Sequence, residues 1–504
     1  MRGAGSSVWE QIPDISRCKG STVAKPICAP KPSPSAARAS LLVSLSAIAA
    51  SLLLPTGPAR AGEAEPITFA SCGDTVKDKA VRAVAQCAQI LVPENRAKPD
   101  GRKISLPILR VPAQARSTGE PVFFLTGGPG AGNLDEIMPL GAVHEQHDVY
   151  FVGYRGADGA SALVCPEISK QLGTAPLLSP DGLEGLGAAA ASCNARLSAS
   201  GVDLAHYSMF DVIDDLEQVR NSLGIAKVNL FSISYGTRIA QYYARRFPGS
   251  MSRSAMFGAN PPGHFVFSAY VNDRILDRLA EICAADKACS ARTGDLKKTI
   301  RLALTAGERS GNPKIDDGAV RSAMFLMLYG RDTTKIFIDA ALEAEGGDYA
   351  KLEQLSSLVT VALKGVIHGD MFAKGGTDAY RYPLLRESFQ PSADSVGSPL
   401  DELYSKFLEN WPVIDLPAQY RLAAIDRTPT LIVNGDLDVS TPLLFIEAEL
   451  MPYLPNGQLI MMKDYGHNDY ARQAEAFGEI LAGFYGDGSV DRSRLKPDPF
   501  SFER

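Results

Sequence analysis

The chain alternates short apolar runs with longer stretches of helical periodicity. Eight runs have the length and apolar character of buried strands, near residues 88–93, 105–110, 121–126, 148–152, 227–232, 252–257, 429–434 and 457–462. Stretches with helical periodicity lie near residues 210–223, 235–247 and 470–485. Strands that alternate with helices are typical of the α/β class, in which a mostly parallel central sheet is flanked by helices.

The pattern changes to mostly helical periodicity between about residue 263 and residue 425. This segment separates the sixth predicted strand from the seventh, so we expect a large helical lid inserted into the core. A lid over a reactive group would limit substrate size and exclude water. The sequence therefore predicts four parts. Residues 1–61 are an N-terminal extension with a signal peptide, and residues 62–262 are the first part of the core. Residues 263–425 are the lid, and residues 426–504 are the second part of the core.

A serine lies at the junction between one predicted strand and the helix that follows it. The run Val228–Ile233 leads into Ser234-Tyr235-Gly236-Thr237, and a helix-like stretch comes next. A tight junction of this kind needs small residues beside the serine and leaves its hydroxyl exposed at the sheet edge. Ser232 stands where a glycine is usual, and it is still small. The pattern predicts Ser234 as a nucleophile, although an ordinary strand–turn–helix junction can give the same string.

A carboxylate and a histidine follow two later strands, in the chain order that such a serine requires. Asp438 lies just past the strand near 429–434, and His467 lies just past the strand near 457–462. A serine hydroxyl needs a base within hydrogen-bond reach. We therefore expect His467 to take its proton and Asp438 to orient the imidazole. Asp436 is the competing acid, and the position of Asp438 farther past the strand end favours Asp438.

The oxyanion formed by attack of the serine needs two N–H donors. One is expected from the backbone of Tyr235, at the start of the helix after Ser234, because helix N-termini favour anions. The other is expected from Gly128 in the loop Gly127–Gly130, which follows the third predicted strand. Glycines in that loop allow its backbone to approach a ligand closely.

Together these motifs resemble the proline iminopeptidase and tripeptidyl aminopeptidase group of α/β-hydrolases, and the secreted bacterial TAP-like branch in particular. The likeness extends from about residue 72 to about residue 485. Besides the site motifs, it rests on Gly153-Tyr154-Arg155-Gly156, Leu163-Val164-Cys165-Pro166 and Asp214-Asp215-Leu216. The resemblance implies an α/β-hydrolase fold and a peptidase that releases single residues or short peptides from free N-termini.

Three functions are open at this stage. The first is a serine aminopeptidase, the second is a serine esterase or lipase-like carboxyl-ester hydrolase, and the third is a non-catalytic binding protein that keeps the fold. The complete set of Ser234, Asp438 and His467 argues against the third. An aminopeptidase needs a buried carboxylate to pair with the ammonium group of its substrate. Asp370 and Glu387 are the lid residues expected in that role, with a solvated surface carboxylate as the alternative for each.

Composition and charge exclude several classes of partner. The chain has 504 residues, of which 45% are hydrophobic and 21% charged, as in ordinary globular proteins. Its formal net charge is −6 and it has no basic block, so nucleic acid is not an expected partner. It has no Cys-x-x-Cys or His-Glu-x-x-His pattern, so we expect neither a metal nor a cofactor. The expected partner is a peptide or a small acyl substrate.

The N-terminal region has the features of an export signal. Lys25, Lys31 and Arg38 precede the apolar run 41–54, and Ala59-Arg60-Ala61 offers a cleavage site. The apolar run is too short to cross a membrane comfortably. We expect cleavage near Gly62, no stable membrane insertion afterwards and a periplasmic or extracellular location, with an uncleaved anchor as the alternative.

Cysteine usage agrees with export. The cysteines beyond the predicted cleavage site are even in number, namely Cys72, Cys87, Cys165, Cys193, Cys283 and Cys289. An even number in an exported chain indicates disulfides. The sequence alone does not fix their connectivity. Pairing between neighbours is the simplest arrangement, and the resemblance implies the same pairs.

Overall fold

The computed structural model describes residues 67–73, 79–115, 117, 119–135, 141–412, 414 and 416–503. The predicted extension and signal peptide, residues 1–61, lie outside these ranges. Within the described ranges, none of the helices combines the length and hydropathy that a membrane crossing needs.

The described residues form one nine-stranded sheet with the strand order β1-β2-β3-β5-β4-β6-β7-β8-β9. The strands are β1 (Ala70–Ser71), β2 (Gln86–Pro93), β3 (Lys103–Val111), β4 (Val122–Leu125), β5 (Val149–Val152), β6 (Val228–Ile233), β7 (Met251–Phe257), β8 (Thr430–Gly435) and β9 (Gly457–Met462). The first three strands and β5 pair in antiparallel fashion, and the pairs from β5 through β9 are parallel. The predicted α/β class is confirmed, and each of the eight predicted strands coincides with a strand of the sheet.

Helices cover the sheet and fill the long segment between β7 and β8. They are α1 (Lys79–Val84), α2 (Pro166–Gln171), α3 (Pro180–Ala199), α4 (Met209–Ser222), α5 (Tyr235–Arg246), α6 (Ala269–Ala285), α7 (Lys287–Ser290), α8 (Leu296–Ala303), α9 (Ala306–Ser310), α10 (Asp317–Met327), α11 (Arg331–Glu345), α12 (Ala350–Lys364), α13 (His368–Gly375), α14 (Tyr382–Phe389), α15 (Pro399–Leu408), α16 (Leu443–Phe445) and α17 (Ala474–Gly486). Helices α6 to α15 follow β7 and precede β8, which is the segment predicted as helical.

The central strands are buried on both faces. All residues of β4 are buried; Phe123 and Leu125 pack into the core on one face, and Val122 and Phe124 pack into the core on the other. Successive side chains of a strand point to opposite faces, so a strand covered on both sides reads as a continuous apolar run. This explains why the sequence pattern located these strands.

The long insertion does not interrupt the sheet. Strand β8 pairs directly with β7 in parallel register, with Ala255 opposite Leu431. The chain therefore leaves the sheet at the end of β7 and returns to the adjacent position. The role of the inserted helices as a lid stays a prediction.

The motifs Gly153–Gly156 and Asp214–Leu216 are joined by a buried ion pair between Arg155 and Asp215. Arg155 Nε lies 2.6 Å from Asp215 Oδ2, and Arg155 Nη2 lies 2.7 Å from Asp215 Oδ1. The helix that carries Asp215, α4, begins at a capping box formed by Ser208 and Asp211. The pair fixes the segment after β5 to α4, because bidentate arginine–carboxylate contacts are directional as well as strong.

The described part of the chain contains three disulfides. Cys72 is bonded to Cys87, Cys165 to Cys193 and Cys283 to Cys289. Each bond joins cysteines that are neighbours in the sequence, which is the arrangement named above as the simplest. The first holds β1 against β2, a two-residue strand that the sequence pattern did not predict because it is too short to show a period of two.

Candidate active site

Ser234 occupies the turn between β6 and α5. Its backbone has a φ of 54° and a ψ of −126°, a conformation that residues other than glycine rarely adopt. Gly236 sits in the first turn of α5, where an added Cβ would lie 2.3 Å from the carbonyl oxygen of Leu125. Only a glycine fits there, and it allows α5 to start directly above the sheet. The sharp turn places Ser234 at the carboxyl edge of the sheet, as predicted for a nucleophile elbow.

Ser232 stands where a glycine is usual, and the structure explains how a serine is accommodated there. Its side chain is fully buried, and its hydroxyl donates to the backbone oxygen of Ala255 in β7 at 3.0 Å. The hydroxyl therefore has a partner and does not compete with Ser234.

Asp438 and His467 are in direct contact. His467 Nδ1 lies 2.8 Å from Asp438 Oδ2, and both side chains are almost completely buried. Thr441 Oγ1 donates to Asp438 Oδ2 at 2.7 Å, while the backbone N–H groups of Ser440 and Thr441 donate to Asp438 Oδ1. The carboxylate is thus held on both oxygens, and it can orient the imidazole. Asp436 accepts a hydrogen bond from the Asp464 backbone instead.

Ser234 and His467 line one cavity of about 250 Å³ at the carboxyl edge of the sheet. The described residues around it are Gly127, Gly128, Ile233, Ser234, Tyr235, Asn260, Phe265, Phe267, Tyr329, Ser440, His467 and Asn468. Four of the predicted site residues therefore share this cavity, and Asp438 lies behind His467. Four of the lining residues other than His467 are aromatic, namely Tyr235, Phe265, Phe267 and Tyr329.

The predicted oxyanion loop is held close to the serine. An added Cβ on Gly127 would lie 2.9 Å from Ser234 Cβ, so the backbone of this loop passes directly over the elbow. Asn133 fixes the start of the loop by accepting from Thr126 N at 2.7 Å. Asp370 fixes its other end by accepting from Gly130 N at 2.9 Å. A site held by buried side chains in this way is pre-organised for charge stabilisation.

The two predicted amine-binding residues do not line this cavity. Asp370 is completely buried, and its carboxylate forms an ion pair with Lys374 in addition to the bond from Gly130. Burial raises the pKa of Asp370, and Lys374 opposes that shift. Glu387 lies on the exposed side of α14. In the structure Asp370 therefore holds the Gly127–Gly130 loop, and Glu387 is exposed to solvent.

The sequence did not indicate every residue of the site. Tyr329 comes from the inserted helices, and its ring lies edge-on to His467 with the ring centres 5.0 Å apart. No local motif marks it. Thr441 follows Asp438 by only three residues, but the contact of its hydroxyl with the carboxylate is evident only from the structure. Among the described residues, no group of three or more histidine, cysteine or acidic side chains could hold a metal ion.

The arrangement provides the components of nucleophilic catalysis. A partly buried serine and an imidazole line one cavity, a buried carboxylate holds the imidazole, and two backbone segments border the same space. Such a set can form an acyl-enzyme from a carboxylic ester or amide and hydrolyse it.

Two segments of the chain match known families. Residues 120–278 match the family described as alpha/beta hydrolase fold, and residues 402–496 match the family described as TAP-like protein. The first segment contains Ser234, and the second contains Asp438 and His467.

Named relatives also match part of the chain. Serine protease Hip1 of Mycobacterium tuberculosis is 27% identical over 216 residues, which cover 39% of this chain and 40% of that protein. Tripeptidyl aminopeptidase of Streptomyces coelicolor is 29% identical over 186 residues, which cover 33% of this chain and 34% of that protein. The matched part of the chain thus spans 40% or less of the length of these relatives. A crystal structure of proline iminopeptidase from Mycobacterium smegmatis aligns with a TM-score of 0.39 and 15% identity, covering 79% of this chain and 98% of that one.

Proposed function

We propose that the chain is a serine aminopeptidase, because it matches the family described as alpha/beta hydrolase fold and the family described as TAP-like protein. It would release single residues or short peptides from free N-termini through an acyl-enzyme. The observation that carries the proposal is that Ser234 and His467 line the same cavity, with Asp438 bonded to the imidazole.

The proposed mechanism assigns one role to each group. His467 takes the proton of the Ser234 hydroxyl as it attacks the scissile carbonyl, and then passes that proton to the departing amine. Asp438 orients the imidazole and stabilises its charged form. The backbone N–H groups of Gly128 and Tyr235 receive the oxyanion, since the first N–H groups of α5 have no intrahelical acceptor. Water then attacks the acyl-enzyme, with His467 again acting as base.

Asp401 is the acidic residue that we propose for the amino group of a substrate; it does not itself line the cavity, but it lies beside Phe267, which does. It lies on α15, is completely buried, and has one carboxylate oxygen, Oδ1, with no hydrogen-bond partner among the described residues. Burial raises the pKa of Asp401 well above its usual range, while the Ser398 hydroxyl, which donates to Asp401 Oδ2 at 2.6 Å, and the backbone N–H of Phe267, a residue that lines the cavity, oppose that shift. An ammonium group beside this carboxyl would favour its ionised form. We therefore assign the anchor to Asp401 in place of Asp370 and Glu387.

The second candidate is a carboxyl-ester hydrolase with the same nucleophile. One observation favours it: the described residues that line the cavity include Ile233, Phe265 and Phe267 but no carboxylate. An acyl ester has no charged amine to neutralise, so an apolar wall suits it.

A pair of matched peptides separates the two candidates. A free-amine chromogenic peptide and its N-acetylated twin share the scissile bond and differ in the charge that a carboxylate would bind. Loss of a buried charge-assisted bond commonly costs about 2 to 5 kcal/mol, or roughly 30- to several-thousand-fold in kcat/KM. We expect the free-amine peptide to be cleaved faster by a factor in that range.

Substitutions then test the anchor. Asp401→Asn should remove most of the difference between the two peptides, whereas Glu387→Gln, an exposed acidic residue, should leave it unchanged. Equal rates on both peptides in the unmutated enzyme, together with faster turnover of simple acyl esters, would establish the esterase instead.

We also propose that the enzyme acts after export. Three disulfides in the described part of the chain support this location, because such bonds persist in oxidising compartments. The basic and apolar N-terminal run supports it as well.

A further inference from the structure

The turn between α10 and α11 is joined to the loop that carries His467. We call residues 328–331 the α10–α11 turn and residues 465–469 the histidine loop. Asn468 N donates to Tyr329 O at 2.7 Å, directly after the histidine. Arg331 N donates to Asp469 Oδ1 at 3.1 Å, and the same carboxylate accepts from Gly466 N at 2.7 Å. The backbone is therefore held on both sides of His467. Asn468 bonds directly to Tyr329 of the inserted segment, and Gly466 bonds to Asp469, which in turn accepts from Arg331 of that segment.

The side chain of Tyr329 extends this contact to the imidazole itself. Its ring meets the His467 ring at 75°, with the centres 5.0 Å apart, in the edge-to-face geometry that aromatic pairs prefer. Its hydroxyl lies beside the side chain of Ser440. The backbone N–H of Ser440 donates to Asp438. Tyr329 thus touches the histidine and the segment that holds its acid.

These contacts restrict a movement of the His467 ring that its bond to Asp438 still allows. Asp438 fixes His467 at Nδ1, but a ring held at one atom can still tilt about that bond. An aromatic edge against the ring limits the tilt, and the bond from Asn468 N limits movement of the main chain. The imidazole held in this way borders the cavity that Ser234 also lines.

We propose that Tyr329 is a positioning residue for His467, and that the α10–α11 turn is a fixed part of the catalytic apparatus and not a part that opens. This inference rests on the proposed function, since it requires His467 to act as the base. It predicts that loss of the ring changes kcat and the pH dependence of the reaction, with little effect on KM.

The experiment compares two substitutions at Tyr329 with a control in the same helical segment. Tyr329→Phe keeps the ring and should stay within about threefold of the unmutated kcat. Tyr329→Leu removes it and should lower kcat by roughly 10- to 100-fold, the cost of a small misplacement of a catalytic group. The acid limb of the kcat/KM profile should also move. Phe337→Leu, at a completely buried position in α11, should lower the melting temperature without either effect.

The readouts separate a positioning role from a structural one. If Tyr329→Leu and Phe337→Leu reduce kcat by the same factor with unchanged pH profiles, Tyr329 is only structural and the inference is overturned. If Tyr329→Leu does not fold, Tyr329→Met fills the space without an aromatic edge and carries the same two expected results. Retained activity in His467→Gln would refute the proposed function itself, whatever the Tyr329 variants show.

Discussion

His467 Nδ1 lies 2.8 Å from Asp438 Oδ2, whereas Asp436, two residues earlier in the chain, bonds to the backbone of Asp464. Asp438→Asn should therefore reduce kcat by about 10⁴-fold, because an amide at this position favours the wrong imidazole tautomer. Steady-state kinetics on an acyl ester measure the effect.

Asp436→Asn is the matched control for that substitution. It changes the same functional group next to the same strand, so we expect kcat to remain within about tenfold of the unmutated value. A larger loss in Asp436→Asn than in Asp438→Asn would reverse the assignment of the acid.

Ser234→Ala should lower kcat by roughly 10⁶-fold, as loss of the nucleophile does in comparable triads. The fold should survive, because the hydroxyl is not needed for the backbone bond from Ser234 N to Phe257 O. A fluorophosphonate probe should label the unmutated protein at Ser234. Ser232→Ala, which loses only the bond to Ala255 O, should still be labelled, and labelling of the Ser234→Ala variant would disprove the assignment.

The exported protein should begin close to Gly62 and contain no free thiol among its six remaining cysteines. Mass spectrometry of the secreted chain gives the N-terminus, and thiol alkylation before and after reduction counts the disulfides. Alkylation of Cys72, Cys87, Cys165 or Cys193 without reduction would contradict the proposed location.

The stability of the protein should depend on pH through His368. This histidine is buried among Phe372 and Phe407, its Nδ1 has no hydrogen-bond partner among the described residues, and burial lowers its pKa to about 4. In the unfolded chain the group titrates near 6.5, so the unfolded state takes up the proton first as the pH falls. The free energy of unfolding should drop by about 3 kcal/mol between about pH 6.5 and pH 4 from this group alone. Below about pH 4 both states are protonated and the loss ends.

Chemical denaturation of His368→Leu isolates this contribution. The variant should lose less stability than the unmutated protein over the same pH interval, because both proteins share all other titrating groups. His206→Gln, a substitution at a partly exposed histidine, is the control and should follow the unmutated curve. Parallel curves for His368→Leu and the unmutated protein would show that His368 contributes nothing.

The parts of the site that the sequence predicted are those with local signals. Ser234, Asp438 and His467 each come directly after an apolar run, and parallel strands bring those ends to one edge. Ser234 could also be located by the small residues that its turn requires. Local patterns of this kind need no knowledge of how distant segments pack.

Contacts between the inserted helices and the core could not be predicted in that way. Tyr329 is far from His467 in the chain, and nothing in its neighbourhood indicates that its ring packs against an imidazole. The burial of Asp401 likewise depends on how α15 packs. Asp370 is different, because Lys374 follows it by four residues in a helical stretch, and that spacing alone favours an ion pair.

The order of the elements along the chain has a consequence for synthesis. Ser234 and most of the sheet are translated before the inserted helices, while Asp438 and His467 come after them on the last two strands. On the proposed mechanism, a growing chain that has completed β7 therefore carries the nucleophile without its base. Because β8 and β9 add to the open edge of the sheet beside β7, the proposed catalytic site is complete only when translation is almost finished and the final strands have docked.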